Sequence, residues 1–144
     1  MLSQIDADNL VKTLKFIVKP TKVRFPQPGE STEIDIRSVD KKNKFLLDIN
    51  RGRVKLVKCT YQNRYRKDIV LLRLDINGSP HTNPDGKTIP CPHLHIYREG
   101  FGDKWAVLLP DDFSDNMDIV TKLFEFMDYC KIDNATQLNI QGVI

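Results

Sequence analysis

The stretch Ile69-Val-Leu-Leu-Arg-Leu-Asp-Ile76 decides the fold class of this chain. Its apolar residues run almost unbroken over a strand-sized length, the pattern of a central strand. On its N-terminal side stand further strand-like runs. Glu33-Ile-Asp-Ile-Arg37 alternates polar and apolar residues, and so does part of Phe45-Leu-Leu-Asp-Ile-Asn50. Asp40-Lys-Lys-Asn-Lys44 separates these two as a hairpin-type turn, and Arg51-Gly-Arg53 is a second turn leading into Val54-Lys-Leu-Val-Lys-Cys-Thr-Tyr61. On the C-terminal side, Asn77-Gly-Ser-Pro-His-Thr-Asn-Pro-Asp-Gly86 is dense in turn formers and reads as a loop. His93-Leu-His-Ile-Tyr-Arg98 follows as another strand. Period two places His93, His95 and Tyr97 on one face and Leu94 and Ile96 on the other. A turn and a short strand around Trp105 complete the series, with Trp105 expected in the core beside Ala106, Val107 and Leu108.

Helical periodicity flanks the strands. From Asp6, as N-cap, to Val18, the residues Leu10, Val11, Leu14, Ile17 and Val18 recur at helical spacing, and Pro20 ends the run. Asp111-Asp-Phe-Ser-Asp115 opens a second helix with acidic charge at its positive end. Ile119, Val120, Leu123, Phe124, Phe126 and Met127 then give it a wide apolar face. Gln137-Leu-Asn-Ile140 reads as a short strand or an extended arm. The expectation is a single α+β domain over residues 1–144: a helix, about five mainly antiparallel strands, and a C-terminal helix, with both helices on one face of the sheet.

Composition narrows the setting. The chain of 144 residues is 40% hydrophobic and 28% charged, ordinary values for a globular domain. No apolar run approaches the roughly 20 residues that cross a bilayer, and the first residues do not read as a signal peptide. Cys59, Cys91 and Cys130 are widely spaced and odd in number, so reduced thiols in a cytoplasm are expected, with no membrane partner. The net charge of +3 hides an asymmetry. Residues 21–73 hold fourteen Lys/Arg against six Asp/Glu, whereas residues 103–144 hold three against eight. A basic middle suits a polyanion, and RNA is the expected partner. Arg51, Arg53, Lys55, Lys58, Arg64, Arg66, Lys67 and Arg98 are the candidate phosphate contacts, with Tyr97 among them. Tyr61, Tyr65 and Tyr97 interleave with arginines as rings that stack on unpaired bases would.

The most distinctive chemistry is histidine. His81, His93 and His95 fall within fifteen residues. Imidazole exchanges protons near neutrality, so such rings serve as general acid and base. Two same-face rings beside a loop ring can flank one scissile phosphate, with Arg73, Arg98 or Lys87 stabilising the added negative charge. His81 and His95 are the expected acid–base pair. The same residues permit a metal reading, with Cys91 or Asp85 as a further ligand. The spacing is permissive only, and neither metal nor cofactor is expected. Asp111 and Asp112 read as helix-start charge, not a catalytic pair.

Tyr61-Gln-Asn-Arg-Tyr-Arg66, residues 69–86 and Ile89-Pro-Cys-Pro-His-Leu-His95 together resemble the layout of the TumE-like small toxins. Those have an arginine-bearing strand, a histidine loop and a Pro-His-x-His stretch. Residues 92–105 also resemble an uncharacterised family of small proteins from phages and mobile elements of Gram-positive bacteria. The resemblance spans about residues 61–105 and implies an RNA-directed activity of toxin type, with Arg73, Asp75, His81, His93 and His95 matching the pattern. It also implies a partner such as an antitoxin or a defence-system protein. The Gly100-Phe-Gly-Asp-Lys-Trp105 block and the acidic last helix depart from that pattern. Related mobile-element proteins inhibit bacterial defence, CRISPR systems included, so the alternative is a non-enzymatic inhibitor that binds a defence nucleoprotein or its RNA.

Overall fold

A computed structural model describes residues 1–53 and 58–138. Helix α1 (Gln4–Lys12) is followed by strands β1 (Lys15–Ile17), β2 (Ser31–Ser38), β3 (Lys44–Arg51), β4 (Cys59–Tyr65) and β5 (Ile69–Ile76). A two-stranded ribbon follows, β6 (His81–Thr82) with β7 (Thr88–Ile89), and then β8 (His93–Ile96), β9 (Ala106–Leu108) and helix α2 (Ile119–Tyr129). Seven strands form one antiparallel sheet in the order β1-β2-β3-β4-β5-β8-β9, two more than the expected five. The stretch 69–76 lies inside it as β5, between β4 and β8.

The short strand expected around Trp105 is β9, and β1 comes from a segment that helical periodicity claimed. The expected helix over residues 6–18 ends at Lys12, and Lys15-Phe-Ile17 turns into an edge strand on β2. Over so few residues the two periods overlap: Ile17 is buried either way, while Leu14 is half exposed. The N-cap is Ser3, whose Oγ accepts from the Asp6 amide at 3.1 Å, and not Asp6 itself. The second helix begins at Ile119, capped by Asp118, whose Oδ2 accepts from the Thr121 amide at 3.0 Å. Asp111 and Asp112 lie upstream in an exposed turn. That turn is tied down from the helix: Lys122 Nζ donates to Ser114 O at 2.6 Å and to Glu125 Oε1 at 2.7 Å. The expected strand from Val54 is described from Cys59, residues 54–57 lying outside the described residues. Of the C-terminal stretch, Ala135–Gln137 forms a 3₁₀ turn, and residues 139–144 lie outside the description.

Period two divides the sheet into two chemically distinct faces. Ile34, Ile36, Phe45, Leu47, Ile49, Tyr61, Leu72, Leu74, Ile76 and Leu94 meet Ala7 of α1 and Leu123, Phe126 and Met127 of α2 in one core. The Tyr61 hydroxyl crosses that core to donate to Ile119 O. One buried ammonium joins both helices. Lys15 Nζ donates to Val11 O (3.1 Å) and Thr13 O (2.8 Å) at the end of α1, and to Cys130 O (2.8 Å) at the end of α2. Carbonyls at helix C-termini lack intrahelical donors and carry the negative end of the dipole, so this one group satisfies both ends. Burial lowers its pKa from 10.5 to about 8.

Among the described residues, the opposite face carries no helix. Its strand positions are Asp48 on β3, Thr60, Gln62 and Arg64 on β4, Arg73 and Asp75 on β5, and His93 and His95 on β8.

Candidate functional site

Antiparallel register builds the site. On β5 and β8, Arg73 stands directly opposite His95, and Asp75 directly opposite His93. Residues two apart on a strand share a face, so four residues read from two strands make one square of side chains. The connection from β5 to β8 returns over this square as the β6–β7 ribbon. Its anchor is Asn83, whose side-chain amide pairs with both main-chain groups of Ala106. Asn83 Nδ2 donates to Ala106 O at 2.9 Å, and Asn83 Oδ1 accepts from the Ala106 amide at 2.8 Å. In this way a loop side chain extends the edge of β9 and delivers His81, two residues earlier, to the other rings.

The three imidazoles that sequence spacing grouped do converge. Ring centroids are 4.6 Å apart for His81 and His95, 4.9 Å for His93 and His95, and 6.0 Å for His81 and His93. Each ring ties one nitrogen to a main-chain carbonyl: His93 Nδ1 to Pro90 (3.2 Å), His95 Nδ1 to Asp103 (2.8 Å) and His81 Nε2 to Lys104 (2.7 Å). A carbonyl only accepts, so those nitrogens carry the protons and the opposite nitrogens are presented for other use. His93 Nε2 lies 3.0 Å and His95 Nε2 3.2 Å from the same atom, Asp75 Oδ2. Arg73 Nη2 is 2.9 Å from His95 Nε2 and donates to Asp75 Oδ2 at 3.2 Å. Its Nε donates to Asp75 Oδ1 at 3.0 Å, and its Nη1 donates to Asp103 Oδ2 at 3.1 Å.

Asp75 was legible only as part of the toxin resemblance, yet it is the hub. Burial alone would raise its pKa, but its close contacts with His95 and Arg73 and the guanidinium charge outweigh that and hold the carboxyl well below the usual range. The cluster is deep: His93 and His95 are each 1% exposed, and His81 is half-buried. Solvent reaches it through Arg73 and Asp75, whose side chains keep 28% and 19% of their surface. One ligand atom each from Asp75, His93 and His95 lies within 4.8 Å of the other two, the one such His/Cys/Asp/Glu group among the described residues. Neither alternative ligand named from sequence belongs to it. Cys91 Sγ donates to Asp75 O at 3.3 Å, and Asp85 accepts from the Lys87 amide in the ribbon turn.

The candidate phosphate contacts are dispersed. Arg73 and Lys58 line an open polar cleft of about 410 Å³ with Asn50, Thr60 and Gln62. Arg53 joins Lys58 in the cleft next to it, which shares Gly78 and Ser79. Arg66 and Lys67 follow the other end of β4, roughly 25 Å away at about 3.3 Å per residue. Arg64 is spent on structure: Nε and Nη2 grip Asp48 at 2.6 and 2.7 Å, and Nη2 also meets Glu33 at 2.9 Å. Arg51 donates to Pro26 O and stacks on Phe25. Arg98 lies over the Trp105 ring at 4.0 Å. Lys55 falls outside the described residues.

Three aromatic expectations are corrected. Tyr61 is wholly buried in the core beneath α2, so its ring offers no base a stacking face. Strand β8 ends at Ile96, so Tyr97 leaves the histidine face, joins the core and donates its hydroxyl to Leu2 O; its ring offers no base a stacking face. Trp105 is only half-buried, because β9 is the sheet's edge and its neighbours Val107 and Leu108 are exposed.

Comparison with curated proteins returns no significant match, and comparison with solved structures returns none either. A family model described as a family of unknown function (DUF6978) matches residues 2–132, which takes in both described helices, the nine described strands and every residue of the histidine cluster. The chain belongs to that family.

Proposed function

We propose that this protein binds RNA across the helix-free face of its sheet and cleaves it without a metal, using the imidazole cluster. The observation that carries this reading is the convergence of three rings on the Arg73–Asp75 pair, beside a cleft that also holds Lys58. Arg73 and Lys58 meet the phosphate. His81, the half-buried ring, takes the ribose 2′-hydroxyl proton at Nδ1, the nitrogen not engaged with Lys104. His95, protonated on both nitrogens when the step begins, gives its Nε2 proton to the leaving 5′-oxygen, and Asp75 and His93 position it. The likeness of residues 61–105 to TumE-like toxins and to small phage and mobile-element proteins supports a toxin-type role in such a setting.

One observation favours a second reading. His93 and His95 are almost wholly buried, which suits rings that hold the loop to the sheet. The protein would then be a non-enzymatic inhibitor gripping a defence nucleoprotein or its RNA through the same cleft.

The test is single-turnover cleavage of a mixed-sequence single-stranded RNA, with binding measured in parallel. Under the first reading His81→Ala and His95→Ala retain binding and lose cleavage, and the product carries a 2′,3′-cyclic phosphate. Binding without cleavage by the wild type selects the inhibitor. Absence of binding at low salt ends the cleavage reading and leaves the inhibitor only the protein part of a nucleoprotein to grip.

A further inference from the structure

We propose that Asp75, His93 and His95 form a binding site for a divalent transition-metal ion, for which the ion and the guanidinium of Arg73 are alternative occupants. The site needs only these side chains and is independent of RNA binding.

Three observations carry it. First, the donor atoms already have coordination spacing. Two ligands about 2.1 Å from a tetrahedral ion lie roughly 3.4 Å apart, and Asp75 Oδ2 is 3.0 Å from His93 Nε2 and 3.2 Å from His95 Nε2. Secondly, each histidine is oriented as a ligand. The Nδ1 of both rings faces a main-chain carbonyl, Pro90 or Asp103, which fixes the tautomer and aims the Nε2 lone pair at one point. Thirdly, a cationic donor already sits there. Arg73 Nη2 is within 2.9 Å of His95 Nε2 and 3.2 Å of Asp75 Oδ2, so the site attracts positive charge. A metal displaces Nη2, while Arg73 keeps a second anchor through Nη1 on Asp103.

Two imidazoles and one carboxylate suit zinc or ferrous iron and leave coordination positions open to water or an oxygen ligand. The set is poor for calcium or magnesium, which prefer oxygen donors. Because metal binding and proton transfer both draw on His95 Nε2, occupancy and cleavage by His95 exclude each other.

The test uses the full chain, stripped with a chelator and titrated without RNA: Zn²⁺ by calorimetry and Co²⁺ by visible absorption. The expected result is one ion per chain, a cobalt d–d spectrum without a sulfur charge-transfer band, and tighter binding by roughly tenfold in Arg73→Met. His93→Gln and His95→Gln should each lose at least about a hundredfold in affinity. The wild-type cobalt spectrum needs no variant to fold. The proposal is overturned if neither the wild type nor Arg73→Met takes up either ion at about 1 mM. It is also overturned if folded His93→Gln binds as well as the wild type, or if a thiolate band places the ion on Cys91. Failure here leaves RNA binding untouched, and loss of RNA binding leaves metal uptake untouched.

Discussion

Asp75 and His93 face each other across β5 and β8 in direct register, with the carboxylate Oδ2 3.0 Å from the imidazole Nε2. The same oxygen also meets His95 and Arg73, so one carboxylate holds the strand pair, the ring orientation and the local charge balance together.

Asp75→Asn should therefore destabilise the fold by about 3 kcal/mol at pH 7, since one partner of a largely buried ion pair is removed. The Asp75 pKa is held below its ordinary 3.8, so the unfolded chain binds the proton more readily than the folded one. The carboxylate's contribution is complete above about pH 4 and shrinks as pH falls through the folded value. Urea denaturation of both proteins at pH 7 and at pH 3 measures this. A difference that is constant or grows in acid contradicts it.

Lys15 gives a slope of the same sign in the alkaline range. Its pKa is lowered from 10.5 to about 8 by burial, so between these values the unfolded chain binds more protons and stability rises with pH. Comparing the wild type with Lys15→Met from pH 7.5 to 10.5, the stability difference should move in favour of the wild type by at most about 3 kcal/mol. A flat difference curve would show that the ammonium is not desolvated in the folded state.

Asn83→Ala removes the two bonds that join the ribbon to β9. Its cost should be local, on the order of 1–3 kcal/mol. The Ala106 amide and the ribbon amides, Asn83 and Gly86 among them, should lose protection in hydrogen exchange, while core amides such as Leu47 and Leu72 keep theirs. Uniform loss across the sheet would mean that Asn83 supports the whole fold.

RNA binding, if it uses the cleft beside Arg73, should weaken in Arg53→Glu/Lys58→Glu and show a shallower salt dependence. The slope of log affinity against log salt should fall by roughly 0.7 for each phosphate that is no longer neutralised. Arg66→Glu/Lys67→Glu, at the far end of β4, should bind as the wild type does. Filter binding of a single-stranded RNA from about 50 to about 300 mM salt separates the two. Equal weakening in both variants would indicate a diffuse charge effect and no defined groove.

Local pattern carried much of the architecture. The alternation in residues 33–37 and 45–50 and the apolar run 69–76 each lie in a strand, and the acidic C-terminal segment holds a helix, though a later-starting one. Pattern failed where two periods coincide. Residues 15–17 continue the helical spacing of α1, and only pairing with β2, which buries Lys15 and Ile17 and leaves Phe16 between them part exposed, makes them a strand. Arg64 looked like a phosphate ligand because its partner Asp48 is distant in sequence and adjacent across β3 and β4.

By itself the sequence determined that His93 and His95 share a strand face, because side-chain alternation is a property of neighbouring peptide units and needs no partner. Tertiary structure alone decided that Asp75 and Arg73 lie against them, that the β6–β7 ribbon brings His81 in, and that two of the rings are shut away from water. Those facts depend on inter-strand register and on what packs over the sheet, and both arise between segments whose spacing along the chain carries no trace of their meeting.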